Sequence, residues 1–170
     1  MNEEKSTPTL TEEWLDYSDR PFGYRDMDSE TAMVCATDPD IRQRISSALR
    51  ALDFNVIEPT IFKEALKLSR FHTFNVIIVD EDFDTSTDRV NLILNHLEHL
   101  SMSIRRKIFV VLISSTFATM DDMNAYNKSV NLIINKEEIA ELGLILKKEM
   151  AENDYFYHVF KTNLEKYGKI

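Results

Sequence analysis

From residue 31 onward, short runs of apolar, mostly β-branched residues alternate with segments that have the period of a helix. Five of these runs are strand candidates: 32–36, 55–57, 75–79, 108–113 and 132–134. The third and fourth are apolar on both faces, which predicts that they lie in the centre of a sheet. A regular alternation of strand and helix is typical of a parallel sheet covered by helices. The sequence therefore predicts an α/β fold.

Helix candidates of ordinary length separate the strands. Asp38 and Pro39 predict the cap and first residue of the first helix, and Thr60 predicts the cap of the second. The other three candidates are 88–100, 120–129 and 137–152. The core of the chain is therefore expected to consist of five strand–helix units over residues 31–152.

Two appendages are expected to flank this core. Residues 1–30 contain nine acidic and three basic residues with several aromatic residues between them, and we predict a mostly irregular arm. Residues 153–170 repeat apolar residues at helical spacing, which predicts an extra amphipathic helix. Its apolar face must be covered, either by its own domain or by a partner or second copy.

Glycine and cysteine counts exclude several kinds of site. The stretch 24–142 contains no glycine, which excludes a P-loop and a glycine-rich dinucleotide motif there. The single Cys35 excludes an internal disulfide and favours a reducing, cytoplasmic setting. One cysteine and four histidines are too few soft ligands for a structural zinc site.

The acidic net charge of −9 argues against nucleic acid as a partner, because an acidic surface repels the phosphate backbone. The only basic run is Arg105, Arg106 and Lys107, which we interpret as a solvated lead-in to the fourth strand. The first residues lack the pattern of a signal peptide, and no apolar run approaches the length of a membrane span. We therefore expect neither a membrane nor a nucleic-acid partner.

Polar residues end three of the predicted strands, at the edge where a parallel sheet opens its functional crevice. Asp80 ends the third strand, Ser114 follows the fourth and Lys136 follows the fifth. This combination, with the run 38–42 after the first strand, resembles the response-regulator receiver domains over about residues 31–150. The resemblance implies a flavodoxin-like, doubly wound (βα)5 parallel sheet with the strand order 2-1-3-4-5.

The resemblance also implies roles for these residues. In receivers, the acid at the position of Asp80 accepts a phosphoryl group, the hydroxyl at Ser114 hydrogen-bonds it and the lysine at Lys136 pairs with it. Ser115 is an alternative to Ser114, one residue further along. Such chemistry needs a cation and hydrogen-bond donors around the phosphoryl oxygens, which these residue types supply.

The metal-binding positions depart from the family pattern. Receivers hold Mg²⁺ with two adjacent acids after the first strand, and here these positions are Ala36 and Thr37. The carboxylates left for weak Mg²⁺ binding are those of Asp38, Asp80 and Asp82.

Two further departures lie elsewhere. Ile133 replaces the aromatic residue that turns inward on phosphorylation, and Phe83 and Asp84 stand where the family usually has methionine and proline. The chain thus resembles a degenerate, or pseudo-, receiver.

The function that this resemblance implies is a phosphorelay-type signalling module, without enzymatic activity or a firm cofactor. We expect it to act independently of phosphorylation, through protein–protein interaction or dimerisation. The side chains on the fourth predicted helix are expected on its core side, or on a binding face where they are exposed. The expected interaction residues are Met120, Met123, Tyr126, Phe156 and Phe160.

Two alternatives remain open. One is a working, Mg²⁺-dependent response regulator that phosphorylates itself at Asp80, with the metal held by Asp38 and Asp82. The other is a small-ligand sensor that uses the same crevice.

Overall fold

The computed structural model describes residues 30–85 and 91–168. Within them, five parallel strands form one sheet in the order β2-β1-β3-β4-β5. The strands are β1 (Thr31–Cys35), β2 (Asn55–Ile57), β3 (Val76–Asp80), β4 (Phe109–Ser114) and β5 (Leu132–Asn135). The predicted fold class and strand order are confirmed, and every predicted strand end lies within one residue of the observed one.

Helices cover both faces of the sheet. Those in the described ranges are α1 (Pro39–Ala51), α2 (Phe62–Phe71), α3 (Leu92–Glu98), α4 (Met102–Arg105), α5 (Asp122–Asn127), α6 (Leu142–Phe156) and α7 (His158–Lys166), with a 3₁₀ helix (Lys136–Glu141) before α6. The core of one face includes residues of α1 and α6, and that of the other includes residues of α2, α3 and α5. The molecule thus has three layers.

The buried strands explain why the sequence pattern predicted the sheet. Every residue of β3 and β4 is buried, as their two apolar faces predict. In β3, Val76 and Ile78 pack into the α1 and α6 core, whereas Ile77 and Val79 pack into the opposite core. Successive side chains therefore stabilise different layers.

The first two helices begin differently. Asp38 caps α1, because its Oδ1 accepts a hydrogen bond from the N–H of Asp40 at 2.8 Å, and Pro39 is the first helical residue. The predicted cap of α2 is wrong. Thr60 instead donates its N–H to Glu64 at 2.8 Å, and the Phe62 N–H at the start of α2 donates to Asp84 Oδ2 at 2.7 Å. A residue distant in sequence therefore caps this helix.

The third predicted helix, 88–100, is shorter in the structure. Residues 86–90 lie outside the described residues, and α3 begins at Leu92 because the side chain of Asn91 accepts hydrogen bonds from the N–H groups of Ile93 and Leu94. The same Asn91 donates to the carbonyl of Asp80 at 2.9 Å, which ties the helix to the end of β3. The short helix α4 was not predicted.

Arg105 is not the solvated residue that the basic run predicted. Its guanidinium donates to the carbonyls of Ile108 at 2.8 Å and Ser129 at 2.6 Å, and to Asn131 Oδ1 at 3.0 Å. Arg106 is exposed, as predicted, and its guanidinium lies 5.1 Å from the centre of the Phe160 ring. Arg105 therefore joins the segments that precede β4 and β5.

Replacing Arg105 with alanine is expected to lower the free energy of unfolding by about 1.5–3 kcal/mol, because three acceptors lose a charged donor. Urea denaturation followed by circular dichroism measures the loss. Arg106→Ala is the matched control and should cost only about 0.5–1 kcal/mol, the usual value of an exposed cation–π contact. An Arg105→Ala variant that is as stable as Arg106→Ala would contradict this role.

The C-terminal helices have a different boundary from the predicted one. Helix α6 runs without interruption to Phe156 and crosses the predicted division between residues 152 and 153. The chain turns at Tyr157, and α7 begins at His158, five residues after the predicted start at residue 153.

Two further predictions concern an irregular N-terminal arm and the lack of a membrane span. The predicted irregular arm, apart from Glu30, and residues 169–170 lie outside the described residues. Among the residues that are described, no helix has both the length and the apolar character needed to cross a bilayer.

Candidate functional site

Three neighbouring strands bring the predicted residues to one edge of the sheet. Asp80 ends β3 opposite Ile113 of β4, and Ser114 ends β4 opposite Asn135 of β5, the residue before Lys136. The side chains of Asp80 and Ser114 are almost completely buried. We call the group at this edge, residues 80–82, 114–115 and 136, the carboxyl-edge site.

Lys136 binds two carboxylates of this site. Its Nζ lies 2.8 Å from Oδ1 of Asp80 and 2.7 Å from Oδ2 of Asp82. Burial of the ammonium acts to lower the pKa of Lys136, but the hydrogen bonds and charges of the two aspartates outweigh it and hold the pKa above its ordinary value. The lysine is therefore a permanent cation at neutral pH, paired with the nearly buried Asp80.

Glu81, which the sequence analysis did not single out, binds both predicted hydroxyl residues. Its Oε2 accepts a hydrogen bond from Ser114 Oγ at 2.6 Å, and its Oε1 accepts from Ser115 N–H at 2.6 Å and Ser115 Oγ at 2.5 Å. Burial acts to raise the pKa of Glu81, but the hydrogen bonds from the serines and the charge of Lys136 outweigh it and lower the pKa. The only sequence signal for this role was its place directly after Asp80.

The hydroxyl of Ser114 has a fixed direction. Its Oγ accepts hydrogen bonds from the N–H groups of Thr116 at 3.0 Å and Phe117 at 3.2 Å. Because these two bonds use the acceptor side of the oxygen, its proton is directed to Glu81. Both serine candidates thus contact the same glutamate.

The positions that replace the metal ligands do not form a magnesium site. Ala36 is buried and its side chain has no ligand atom, and the hydrogen bonds of Thr37 Oγ1 to described residues are long, 3.5 Å to the Asp82 carbonyl and 3.4 Å from the Asp84 N–H. The carboxylate of Asp38 caps α1. Within the described ranges, no three Asp, Glu, His or Cys side chains form a group that could hold a metal ion.

The ammonium of Lys136 lies between the other two carboxylates of the predicted site, those of Asp80 and Asp82. A positive charge there disfavours a divalent cation. The structure therefore does not bring Asp38, Asp80 and Asp82 together as a Mg²⁺ site.

The loop after β3 is anchored at two residues that differ from the receiver pattern. Phe83 is only 1% exposed and belongs to the core on the α2 and α3 face. Asp84 caps α2 and has a φ of 43°, in the left-handed region. Ile133 of β5 is completely buried in the same core as Phe83. These departures have structural roles in this chain.

The residues predicted as an interaction face are mostly exposed. On and before α5, the inward residue is Ala125, while Met120, Met123 and Tyr126 are exposed, so their predicted place on the core side is wrong. Phe156 at the end of α6 is also exposed, whereas Phe160 is half-buried beneath Arg106.

A second group of exposed apolar residues lies where α6 meets α7. Tyr155, Phe156 and Val159 each expose at least 70% of their area. They help to line an open groove of about 850 Å³, with Lys148, Glu152 and His158 among its polar residues. We call Tyr155, Phe156 and Val159 the C-terminal patch. Among the described residues, its own domain leaves this patch largely uncovered.

No protein-family model and no curated protein match this sequence. Solved structures do match. The chemotaxis response regulator CheY4 of Vibrio cholerae is 17% identical with a TM-score of 0.56, covering 71% of this chain and 98% of its own. A response regulator from Thermotoga maritima is 20% identical with a TM-score of 0.57, covering 72% and 98%. A putative response regulator from Chloroflexus aurantiacus is 13% identical with a TM-score of 0.59, also covering 72% and 98%.

Sequence identities this low establish a common fold and leave function to be argued from the site. The match covers most of each neighbour and leaves part of this chain outside it. The strand order and the places of Asp80, Ser114 and Lys136 at the strand ends agree with the resemblance seen in the sequence. The chain therefore has the fold of response-regulator receiver domains.

Proposed function

We propose that this chain is a receiver-like signalling module of the phosphorelay type that acts by protein–protein contact or self-association, without depending on phosphorylation at Asp80. The observation that carries the proposal is the C-terminal patch, in which Tyr155, Phe156 and Val159 are exposed together. The module would consist of the receiver-like domain with α7 as its added element. Its buried, unpaired Cys35 is compatible with the reducing cytoplasm.

The carboxyl-edge site supports independence from phosphorylation. A phosphoacceptor carboxylate needs a metal or other cation to neutralise the transferred group and donors to bind its oxygens. Here Lys136 already pairs with Asp80, and both hydroxyl donors already bind Glu81. Phosphorylation of Asp80 would require the lysine and both hydroxyls to leave their present partners. It would also have to proceed without the pair of acids that usually holds Mg²⁺. No catalytic step is therefore assigned to the site.

The C-terminal patch supports association as the mode of action. Large exposed apolar groups that lie together mark interaction surfaces, because covering them removes apolar area from water. Aromatic residues are enriched in the centres of interfaces, where a few of them carry most of the binding energy. Tyr155 and Phe156 fit this composition, and Met123 and Tyr126 of α5 supply a second set of exposed residues.

The double variant Phe156→Ser with Val159→Ser is expected to abolish self-association or weaken it about 30-fold or more, since one central interface residue is worth about 2 kcal/mol. Sedimentation velocity over a concentration series measures this change. Phe71→Ser is the matched control, because Phe71 is equally exposed but lies on α2. Asp80→Asn should associate as the native chain does.

The opposite result would overturn the proposal: association lost in Asp80→Asn and kept in the double variant. A second measurement tests the phosphoacceptor alternative directly. Amide NMR with Mg²⁺ and then beryllofluoride, which mimics an acyl phosphate, should leave the signals of Asp80, Ser114 and Lys136 unchanged. Saturable shifts that disappear in Asp80→Asn would instead establish a working, Mg²⁺-dependent phosphoacceptor.

A further inference from the structure

The carboxylate of Glu81 fills a small pocket of hydrogen-bond donors at the end of β4. The donors are the Oγ of Ser114 and the N–H and Oγ of Ser115, all within 2.6 Å of a Glu81 oxygen. Lys136 adds an attractive positive charge that acts on the glutamate. We call these three donors together with the Lys136 ammonium the anion pocket.

The pocket is built to hold an anion. Hydrogen bonds from hydroxyl and backbone N–H groups to an ionised oxygen are stronger than those between neutral groups. The hydroxyl of Ser114 is completely buried, and it can only donate toward Glu81 because its acceptor side is used by Thr116 and Phe117. A buried donor without an acceptor is costly, so this position requires an anionic or polar occupant.

Glu81 is held in position by its own backbone. Its N–H donates to the carbonyl of Ile113 at 2.9 Å, which continues the pairing of β3 with β4. A group tethered in this way binds as an intramolecular ligand, with an effective concentration of about millimolar or higher. Small anions in solution must compete with it and must also approach the negative charge of Glu81 itself.

We propose that Glu81 is the resident anion of this pocket: it takes the place of an external oxyanion, and its removal opens a site for a small oxyanion of the phosphate class. The inference deepens the proposed function and rests on it in one respect, because a carboxylate already bound to these donors occupies the groups that a phosphoryl group on Asp80 would need. Phosphate binding itself depends on Glu81 and the anion pocket and does not involve the C-terminal patch.

The test is an amide NMR titration with inorganic phosphate, without metal, on the native chain and on Glu81→Ala. In Glu81→Ala we expect saturable shifts at Ser114 and Ser115 and binding at least about tenfold tighter than in the native chain. Glu138→Ala is the matched control, because it removes the same charge from an exposed position on the 3₁₀ helix. It should bind phosphate no better than the native chain.

A second variant keeps the test independent of how well Glu81→Ala folds. Glu81→Gln retains the size of the side chain but loses its charge, so the Ser115 amide should exchange with solvent about five- to tenfold faster. Adding Ser114→Ala to Glu81→Ala should remove phosphate binding. Equal phosphate affinity in the native chain and Glu81→Ala, or unchanged Ser115 exchange in Glu81→Gln, would overturn the proposal.

These outcomes separate the two proposals. Phosphate binding and amide exchange report on Glu81 alone, whereas association of the Phe156 and Val159 variants reports on the C-terminal patch. If the native chain shows no association that depends on this patch while Glu81→Ala gains phosphate binding, the proposed function fails and the resident anion stands. If Glu81→Ala gains no phosphate binding while association depends on the patch, the resident anion fails and the proposed function stands.

Discussion

Replacing Phe83 with alanine is expected to lower the free energy of unfolding by about 3–5 kcal/mol, the usual cost of emptying the space of a buried phenylalanine. Phe83 is 1% exposed and lies in the core formed with α2 and α3, although it belongs to the loop after β3. Its ring therefore anchors the segment that carries Glu81, Asp82 and Asp84. Urea denaturation at constant pH measures the loss.

Two variants give this prediction its controls. Phe83→Met keeps most of the buried volume and should cost less than about 1.5 kcal/mol. Phe71→Ala removes an exposed phenylalanine and should change the stability by no more than about 0.5 kcal/mol. If Phe83→Ala were no less stable than Phe71→Ala, Phe83 would not be a core residue. If Phe83→Ala proved much less stable than Phe71→Ala, Phe83 would have a packing role in the core. Its difference from the residue that receivers have at this position would then be explained by packing.

The sheet could be predicted from the sequence because its signals are local. Strands β3 and β4 are buried on both faces, and only apolar residues fit such positions, so their runs are unbroken. The ends of these strands then place Asp80, Ser114 and Lys136 on one edge by topology alone. Sequence and structure therefore agree on where the predicted site residues lie, while the roles of these residues remain predictions.

Contacts between distant segments could not be predicted in this way. Thr60 has the residue type of a helix cap, but Asp84 caps α2 from 22 residues away. Arg105 belongs to a basic run that is typical of a solvated segment, but the carbonyls of Ile108 and Ser129 come within reach of its guanidinium. In both cases the partner is brought near only by the complete fold.

Glu81 was missed for a related reason. An acid beside Asp80 at the strand edge is no different in sequence from the acids that follow it, Asp82 and Asp84. Its role depends on the path of the chain after β4, which turns the donors of Ser114 and Ser115 toward it. The C-terminal helices show the same limit, since apolar spacing predicted a helix but did not indicate the break at Tyr157.

Replacing Lys136 with methionine is expected to lower the free energy of unfolding by about 2–4 kcal/mol. Breaking a buried ion pair by removing one partner usually costs about 3–5 kcal/mol, because the remaining charge is left unpaired in a poorly solvated place. Asp80 is almost completely buried, but the Lys136 side chain is 20% exposed, and solvent screening reduces the expected loss. Urea denaturation measures it, with exposed Lys147→Met as the control, expected within about 0.5 kcal/mol of the native chain.

A double-mutant cycle separates the ion pair from the loss of the lysine's own packing. Asp80→Asn removes the buried charge, so adding it to Lys136→Met should recover about 1–2 kcal/mol. Such coupling would mean that Asp80 and Lys136 are retained here as a stabilising pair, a role that needs neither a phosphoryl group nor a metal ion. If the losses of stability in Lys136→Met and Asp80→Asn were simply additive, the 2.8 Å contact between Lys136 Nζ and Asp80 Oδ1 would contribute little to stability. Stability would then not explain why both residues are present. The coupling energy between Asp80 and Lys136 therefore measures how much this ion pair of the carboxyl-edge site contributes to the stability of the fold.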